Sequence, residues 1–380
     1  MSVKKTELRL LFSAKKTDVT RDIAPDLLGF SYNDKETNEA DEITITLKDP
    51  DGKWAGSWAP DGGEIVEAAI ISSAVGNLLE TAVSVVSDLI GSEIGATDPT
   101  LPCGRFYVDS LKTSGSPRVM EIKAVSIPLN TPIRKRLKTK AWEKTTLKDI
   151  ALSIAKTAGV SLIWDCSENP TYDRQDQKQE SDLKFLSRLC KDESLSIKMT
   201  DTKIVIFDQL SYEKKQPIKT FILGVSPVIS WSFESQQSEK YKSVTITYRD
   251  PKKKKRGSVG SHNTKSTSTA ANGTNPAVNS YTYTDPDADE NGQEYQLKRR
   301  ATSIEEAKRY AAAKLHELNM RHVTGDMTIV GDVGIVAGVV IAISGFGSFD
   351  GNFIVEQAGH SVTGSGYTTS LKLRRVNDKY

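Results

Sequence analysis

At 380 residues, with 51 Lys and Arg against 49 Asp and Glu, the chain has length for two or three domains and almost no net charge. That balance excludes the whole-chain electrostatic field of a nucleic-acid or polybasic membrane binder, and basic charge is local, at Lys252–Arg256. The three cysteines, Cys103, Cys166 and Cys190, form no Cys-x-x-Cys pair, which argues against a disulfide scaffold or a zinc site.

The first residues, MSVKKTELRLLFSAKK, carry charges throughout and no long apolar run, so no signal peptide is expected and synthesis is expected in a cytoplasm. Glu7–Phe12 reads as a short strand. Ile43, Ile45 and Leu47 alternate with Thr44 and Thr46, the period of a half-buried strand. Turn signals follow at Asp49-Pro50-Asp51-Gly52 and Asp61-Gly62-Gly63. Over about 65–95, Ile71, Val75, Leu78, Ala82, Val85 and Leu89 recur at a 4-3-4-3-4 spacing, which predicts an amphipathic helix inserted in the first domain. Glu80 and Asp88 interrupt any membrane span there. The first reading of this segment is burial against the chain's own barrel or a sister subunit. The second is a partner- or membrane-contacting helix through Ile71, Val75, Leu78, Val85 and Leu89.

β signal returns at Gly104–Leu111 and Val119–Val125. Residues 141–159 predict a helix, with Thr146 and Asp149 resembling a capping box and Gly159 as the stop. The stretch Tyr172–Cys190 opens polar and then carries an apolar stripe, Leu183, Phe185, Leu186 and Leu189, behind Ser181 as N-cap. Its polar residues Arg174, Gln175, Gln177, Gln179 and Glu180 are candidates for subunit contacts. Strand patterns run from Leu195 to Phe207 and from Phe221 to Tyr248. Residues 251–293 contain a Ser/Thr/Asn/Gly-rich tract that cannot offset its ordering entropy and predict a flexible loop. A last helix, 303–320, starts at a Ser303–Glu306 capping box with Ile304, Ala307, Ala311, Leu315 and Leu318 inward. The end of the chain is Gly-rich β: Met327–Ile329, Val339–Ser344, Phe353–Gln357 and Thr368–Leu373.

The candidate chemistry is thin. His316 and His322 are six apart, where a helical zinc site needs i and i+4. Asp287, Asp289, Asn291 and Gly292 match the first half of a calcium loop, but Lys298 stands where its bidentate Glu belongs. Gly345-Phe346-Gly347 through Gly351 has its third glycine one place late for a dinucleotide fingerprint and reads as a hairpin turn. Lys252–Arg256 lacks interleaved aromatics and reads as a solvated loop. No catalytic residue, cofactor, metal or small-molecule substrate is expected.

Four blocks carry a resemblance. They are Gly104–Asp109 with Ser114–Pro117 and Ile122–Ala124; Arg134–Trp142 with Thr145–Ile150; Gln175–Cys190; and Phe353–Val355 with His360–Val362 and Gly366–Thr369. In this order they resemble the phage late control D family, the central hub proteins of contractile-tail baseplates, and more distantly the hub part of the valine-glycine-repeat spike proteins of type VI secretion. The resemblance implies an α+β, mainly antiparallel β fold, with two tail-tube-like β-barrel domains and an inserted mixed α/β domain. Its boundaries fall at 1–127 for the first barrel, 128–215 for the insertion, and 216–250 with 294–380 for the second barrel, which includes helix 303–320.

The implied role is a homotrimeric adaptor joining a hexameric tail tube to a trimeric spike, in a phage tail or tailocin baseplate. Two barrels in each of three subunits would face the sixfold tube. The implied partners are the tube protein and a spike made as a separate polypeptide, with tape measure and wedge proteins as further candidates, and no specific nucleic acid. A cell-wall hydrolase of the same apparatus is the first alternative, and a nucleic-acid-binding late regulator the second. No hydrolase motif or recognition helix supports either.

Overall fold

The computed structural model describes residues 5–12, 17–18, 23–37, 40–73, 99–127, 131–200, 202–236, 240–249, 278–285 and 291–376. They divide into two compact units. The larger comprises residues 1–191, 195–235 and 323–379, and the smaller comprises 192–194 with 236–322.

The larger unit opens with seven strands: β1 (Lys5–Phe12), β2 (Thr17–Asp18), β3 (Leu27–Lys35), β4 (Glu42–Lys48), β5 (Ile65–Ser73), β6 (Thr100–Ser114) and β7 (Val119–Val125). They pair antiparallel in the order β3-β4-β7-β6-β5-β1-β2. Strict alternation puts Phe30 and Tyr32 of β3, Ile43, Ile45 and Leu47 of β4, and Met120, Ile122 and Ala124 of β7 on one buried face. The helix expected over 65–95 begins instead as strand β5. There Val66, Ala68 and Ile70 alternate inward, and β1 and β6 satisfy its backbone on both sides. An apolar run rich in Ile and Val suits either period, and the two flanking strands decide it.

The insertion follows: α1 (Pro132–Lys135), β8 (Lys138–Thr146), α2 (Leu147–Ala158), β9 (Ser161–Asp165), β10 (Thr171–Glu180), α3 (Asp182–Asp192), β11 (Leu195–Met199), β12 (Lys203–Asp208) and α4 (Gln209–Glu213). β10 pairs with β8, and β11-β12-β9 form a second small sheet whose β12–β9 pair is parallel. α2 and α3 press Leu147, Ile150, Ile154, Phe185, Leu186 and Leu189 into a core separate from that of the sheet. The helix expected from 141 starts only at Leu147. Residues 141–146 belong to β8, held by β10, and Thr146 is the N-cap whose Oγ1 accepts from the Asp149 N–H at 3.2 Å. Gly159, at φ 73°, ends the helix.

Next come β13 (Lys219–Ile222) and β14 (Val228–Ser235). The smaller unit then carries β15 (Tyr241–Arg249), β16 (Val278–Thr284), β17 (Gln293–Ala301) and α5 (Ile304–Asn319). The sheet order is β16-β15-β17, and Val244, Ile246, Ala307, Tyr310, Ala311 and Leu315 form its core. Ser303 caps α5 by accepting from the Glu306 N–H at 3.1 Å. Glu306 reaches back to the Thr302 N–H at 2.7 Å, one residue further than a capping box requires. Two expectations change here. Val278–Thr284, placed inside the 251–293 loop, is a strand, because Tyr281 and Tyr283 alternate against the helix. Strands 241–249 and 293–301 and helix 303–320, assigned with the second barrel, form their own sheet and core in the smaller unit.

The larger unit closes with β18 (Val323–Val330), β19 (Val340–Ser344), β20 (Gly351–Thr363) and β21 (Gly366–Arg375). The Gly345–Gly351 segment is the expected turn. A 3-10 turn, Gly347–Phe349, lies in it, and Asp350 accepts from the N–H groups of Gly345 (3.0 Å) and Phe346 (2.6 Å). These strands order as β14-β18-β21-β20, with β19 and β13 added beside β20. β20 then pairs antiparallel with β3, from Gln357↔Lys35 to Thr363↔Gly29. Two half-sheets thereby become one sheet of thirteen strands.

A buried guanidinium sits close to this seam. Arg374 of β21 is 0% exposed, and its Nη1 donates to Glu213 Oε1 of α4 at 2.5 Å. Glu356 of β20 lies at 3.3 Å from Nε, and Glu36, just past β3, at 3.6 Å from Nη2. One side chain therefore holds carboxylates from the insertion, the second half and the first half. Arg374→Met strands buried carboxylates and is expected to cost about 3–5 kcal/mol. Adding Glu213→Gln should return part of the loss. Urea unfolding midpoints of the two variants check this.

Candidate assembly surface

The edge strand β14 reads VISWSFES, an alternation that suits a half-buried strand. It pairs only with β18 among the described residues and so ends the large sheet. Trp231 lies opposite Met327 and Phe233 opposite Gly325, which puts both rings on the core face. A Cβ at Gly325 would fall 2.2 Å from the Phe233 ring, so only glycine admits the ring there. Phe233 meets Phe346, Phe349 and Phe353, and Trp231 stands edge-on to Phe346 at 5.2 Å.

Among the described residues, nothing covers this core at its edge. Trp231 is 47% exposed, Ile229 57% and Val225 79%. Ile222, which ends β13, Leu223, in the turn that follows, and Val330, whose N–H donates to Pro227 O, are exposed as well. Apolar side chains concentrated on one sheet edge mark a contact surface, and an unpaired strand edge is a template for pairing. The sequence pattern cannot separate an edge strand from a central one, so this surface was not legible in it.

The polar candidates lie on β10 and the turn into α3. Arg174 is exposed, with Asp176 Oδ1 at 2.9 Å and Glu143 Oε1 at 3.1 Å. Gln179 is exposed in the left-handed region at φ 51°. Glu180 pairs with Arg188 at 2.7 Å. Gln175 is buried. Gln177 is 1% exposed, and its Nε2 donates to Glu180 O and Asp182 Oδ1, both at 3.0 Å. Lys138 Nζ holds the other oxygen of Asp182 at 2.5 Å. Gln177 is thus a brace of the insertion, while Arg174 and Gln179 face outward. Ile71 lies in β5, half-buried, opposite Glu7 and Thr100. Val75, Leu78, Val85 and Leu89 lie outside the described residues, as do Asp287, Asp289 and Lys252–Arg256.

A cavity of about 1050 Å³ opens between the first half and the insertion, lined by Tyr32, Asp34, Asp41, Cys103, Lys198 and Ala337 among others. Burial holds the Cys103 thiol well above its usual range and pushes Cys166 up to about 12, so neither is an activated nucleophile. His360 of β20 is buried with Nδ1 2.7 Å from the Tyr367 hydroxyl, and burial pushes its pKa down to about 4. His316 is buried in α5, and His322 Nδ1 lies 2.8 Å from Asn319 O. No group of three metal-ligating side chains occurs among the described residues.

The profile of the family described as phage tail baseplate hub (GPD) matches residues 131–366. A protein named "Probable baseplate hub protein" from Escherichia phage 186 is 27% identical over 183 residues, 47% of this chain and 39% of the relative. Its counterpart from Escherichia phage P2 is 29% identical over 184 residues, 45% of this chain and 38% of that protein. The matched part thus spans well under half the length of these relatives. Among solved structures, the 43 kDa tail protein of prophage MuSo2 from Shewanella oneidensis is similar over 98% of both chains at TM-score 0.66 and 13% identity. A tail protein from Neisseria meningitidis MC58 is similar over 99% of both chains at TM-score 0.65 and 11% identity. Those two likenesses concern the mainly antiparallel fold, and the profile match concerns descent. The chain belongs to the phage tail baseplate hub (GPD) family.

Proposed function

We propose that this chain is the central hub subunit of a contractile-tail baseplate and works by assembly, without catalysis. The observation that carries the reading is the single large sheet with an uncovered apolar core at its β14 edge. The far end of that sheet, β1 with β2, is built from a different sequence. Contact between unlike ends of successive copies is heterologous, and such contacts close into a ring when the rotation permits. Three copies of a two-half sheet would give six similar faces toward a hexameric tube, with a trimeric spike on the opposite side. The half-sheets 5–125 and 219–235 with 323–375 would be the tube-like domains. The insertion would stand outside the ring.

The covering partner at β14 is, in this reading, a second copy of the chain. Arg174, Gln179 and Glu180 would add a polar contact. Gln177, donating to Glu180 O, would hold that segment from inside, and Gln175 is buried beneath it in β10. The tube protein, a separate spike, the tape measure and the wedge proteins are the further partners. The protein would be made in the bacterial cytoplasm and end in the virion or tailocin tail.

Native mass spectrometry tests this at micromolar concentration. The expected species is a trimer, and Val225→Lys with Trp231→Glu should give monomer with an unchanged circular dichroism spectrum. A monomeric wild type overturns the ring, and a trimer indifferent to both substitutions overturns the β14 contact. Within the insertion, Gln177→Ala is expected to lower folding stability by about 1–3 kcal/mol, because it leaves buried polar groups unmatched. Arg174→Ala with Gln179→Ala should leave the urea midpoint unchanged and weaken the trimer on dilution.

A further inference from the structure

A buried ionic cluster joins three parts of the larger unit. Lys198 of β11 reaches from the insertion to Asp34 Oδ1 at 2.6 Å and to Asp41 Oδ2 at 3.3 Å. Asp34 is the penultimate residue of β3, and its Oδ2 accepts from the Ala337 N–H of the second half at 2.8 Å. Asp41 immediately precedes β4, and its Oδ1 accepts from the Lys35 N–H at 3.0 Å. Its own N–H donates to Ser126 Oγ at 3.0 Å. The carboxylates are 6% and 8% exposed, against 20% for the lysine side chain. Two carboxylates facing one ammonium leave one negative charge uncompensated and largely out of water.

We propose that the Asp34–Lys198–Asp41 cluster is a proton-operated latch: uptake of one proton at Asp41 tightens the hold of the insertion on the sheet, and its release loosens that hold. The insertion has its own core, so it can shift as a body without opening its interior. The adjoining cavity gives water a route to the cluster when it does. Neutral Asp41 leaves a matched Asp34–Lys198 pair, which is the cheaper set to keep buried.

The groups facing the cluster narrow the titration to Asp41. Tyr32 of β3 and Cys103 of β6 are held neutral by burial and by the Asp34 charge. His360, stacked on Tyr32 at 5.9 Å, is pushed down to about 4 and is neutral above pH 5. Glu36, also on the cavity wall, is held by Arg374. Asp41 itself is pushed up to about 6, chiefly by burial and secondarily by Asp34, with Lys198 and the Lys35 amide acting against them. Lys198 remains an ammonium throughout this range, since both carboxylates raise its pKa.

The sign follows from linkage. The latched form has the raised pKa, so it binds more protons than a hydrated Asp41 with an ordinary carboxyl pKa. Latching is therefore favoured as pH falls through about 6, and the gain levels off near the ordinary carboxyl range. Between about pH 7.5 and about pH 5 the latched-to-open ratio should rise about tenfold.

Hydrogen–deuterium exchange of the whole chain, corrected for the intrinsic pH dependence of amide exchange, reads this directly. In the wild type, protection of peptides covering 195–208 and 331–339 should rise about tenfold over that pH interval, with the rise setting in near pH 6 and continuing to pH 5. Peptides of β5 and β6 should not follow. Asp41→Asn, an uncharged stand-in for the protonated side chain, should show the acid level of protection at both pH values. Flat protection in the wild type, or an unchanged pH dependence in Asp41→Asn, overturns the latch. Should the variant not fold, the wild-type profile decides alone, since a flat profile contradicts the proposal by itself.

Discussion

The pairing of β3 with β20 is the constraint on which the rest depends. It aligns residues 29–35 with 357–363, strands more than three hundred positions apart in sequence. Contacts of that separation carry a large closure entropy and form late unless other contacts support them. The support is visible around the seam. Tyr32 stacks on His360 across it, Asp34 extends from β3 to Lys198 and Ala337, and Arg374 on β21 gathers Glu36, Glu213 and Glu356. Polar groups specify this joint where an apolar surface alone would tolerate a slip of register.

The consequence is an asymmetric sheet. Its interior strands are covered on their core face by their own side chains, while its β14 end leaves Trp231 and Ile229 in contact with solvent. A monomeric protein would gain by replacing such residues with polar ones. Their presence is understandable if a neighbour covers them, and a heterologous edge contact is the kind that builds a ring. The insertion is less committed. It has a separate core and is tied to the sheet by ionic side chains at Lys198 and Glu213.

How much of this could be read from the sequence depended on whether the deciding contact was local. Ile43, Ile45 and Leu47 showed β4 because alternation is local to a strand. Thr146 and Ser303 marked two helix starts because a cap lies within three residues of its partner. Where the partner is distant, the reading failed. Ile65–Ser73 carries apolar residues that fit a helix, and only β1 and β6 make it a strand. Lys138–Thr146 is extended because β10 pairs with it. The polar run at 174–180 suggested a surface, yet strand alternation turns Gln175 and Gln177 inward. A buried arginine such as Arg374 resembles any exposed one in sequence, since its carboxylates come from positions 36, 213 and 356.

The central claim is that an open sheet edge on a welded two-half sheet makes this chain a ring-building hub. Cryo-electron microscopy of the assembled protein tests it most directly. The account predicts a three-membered ring in which Trp231 and Val225 of each copy are covered by the neighbouring copy of the chain. A ring joined elsewhere, with the β14 edge in open solvent, would contradict it.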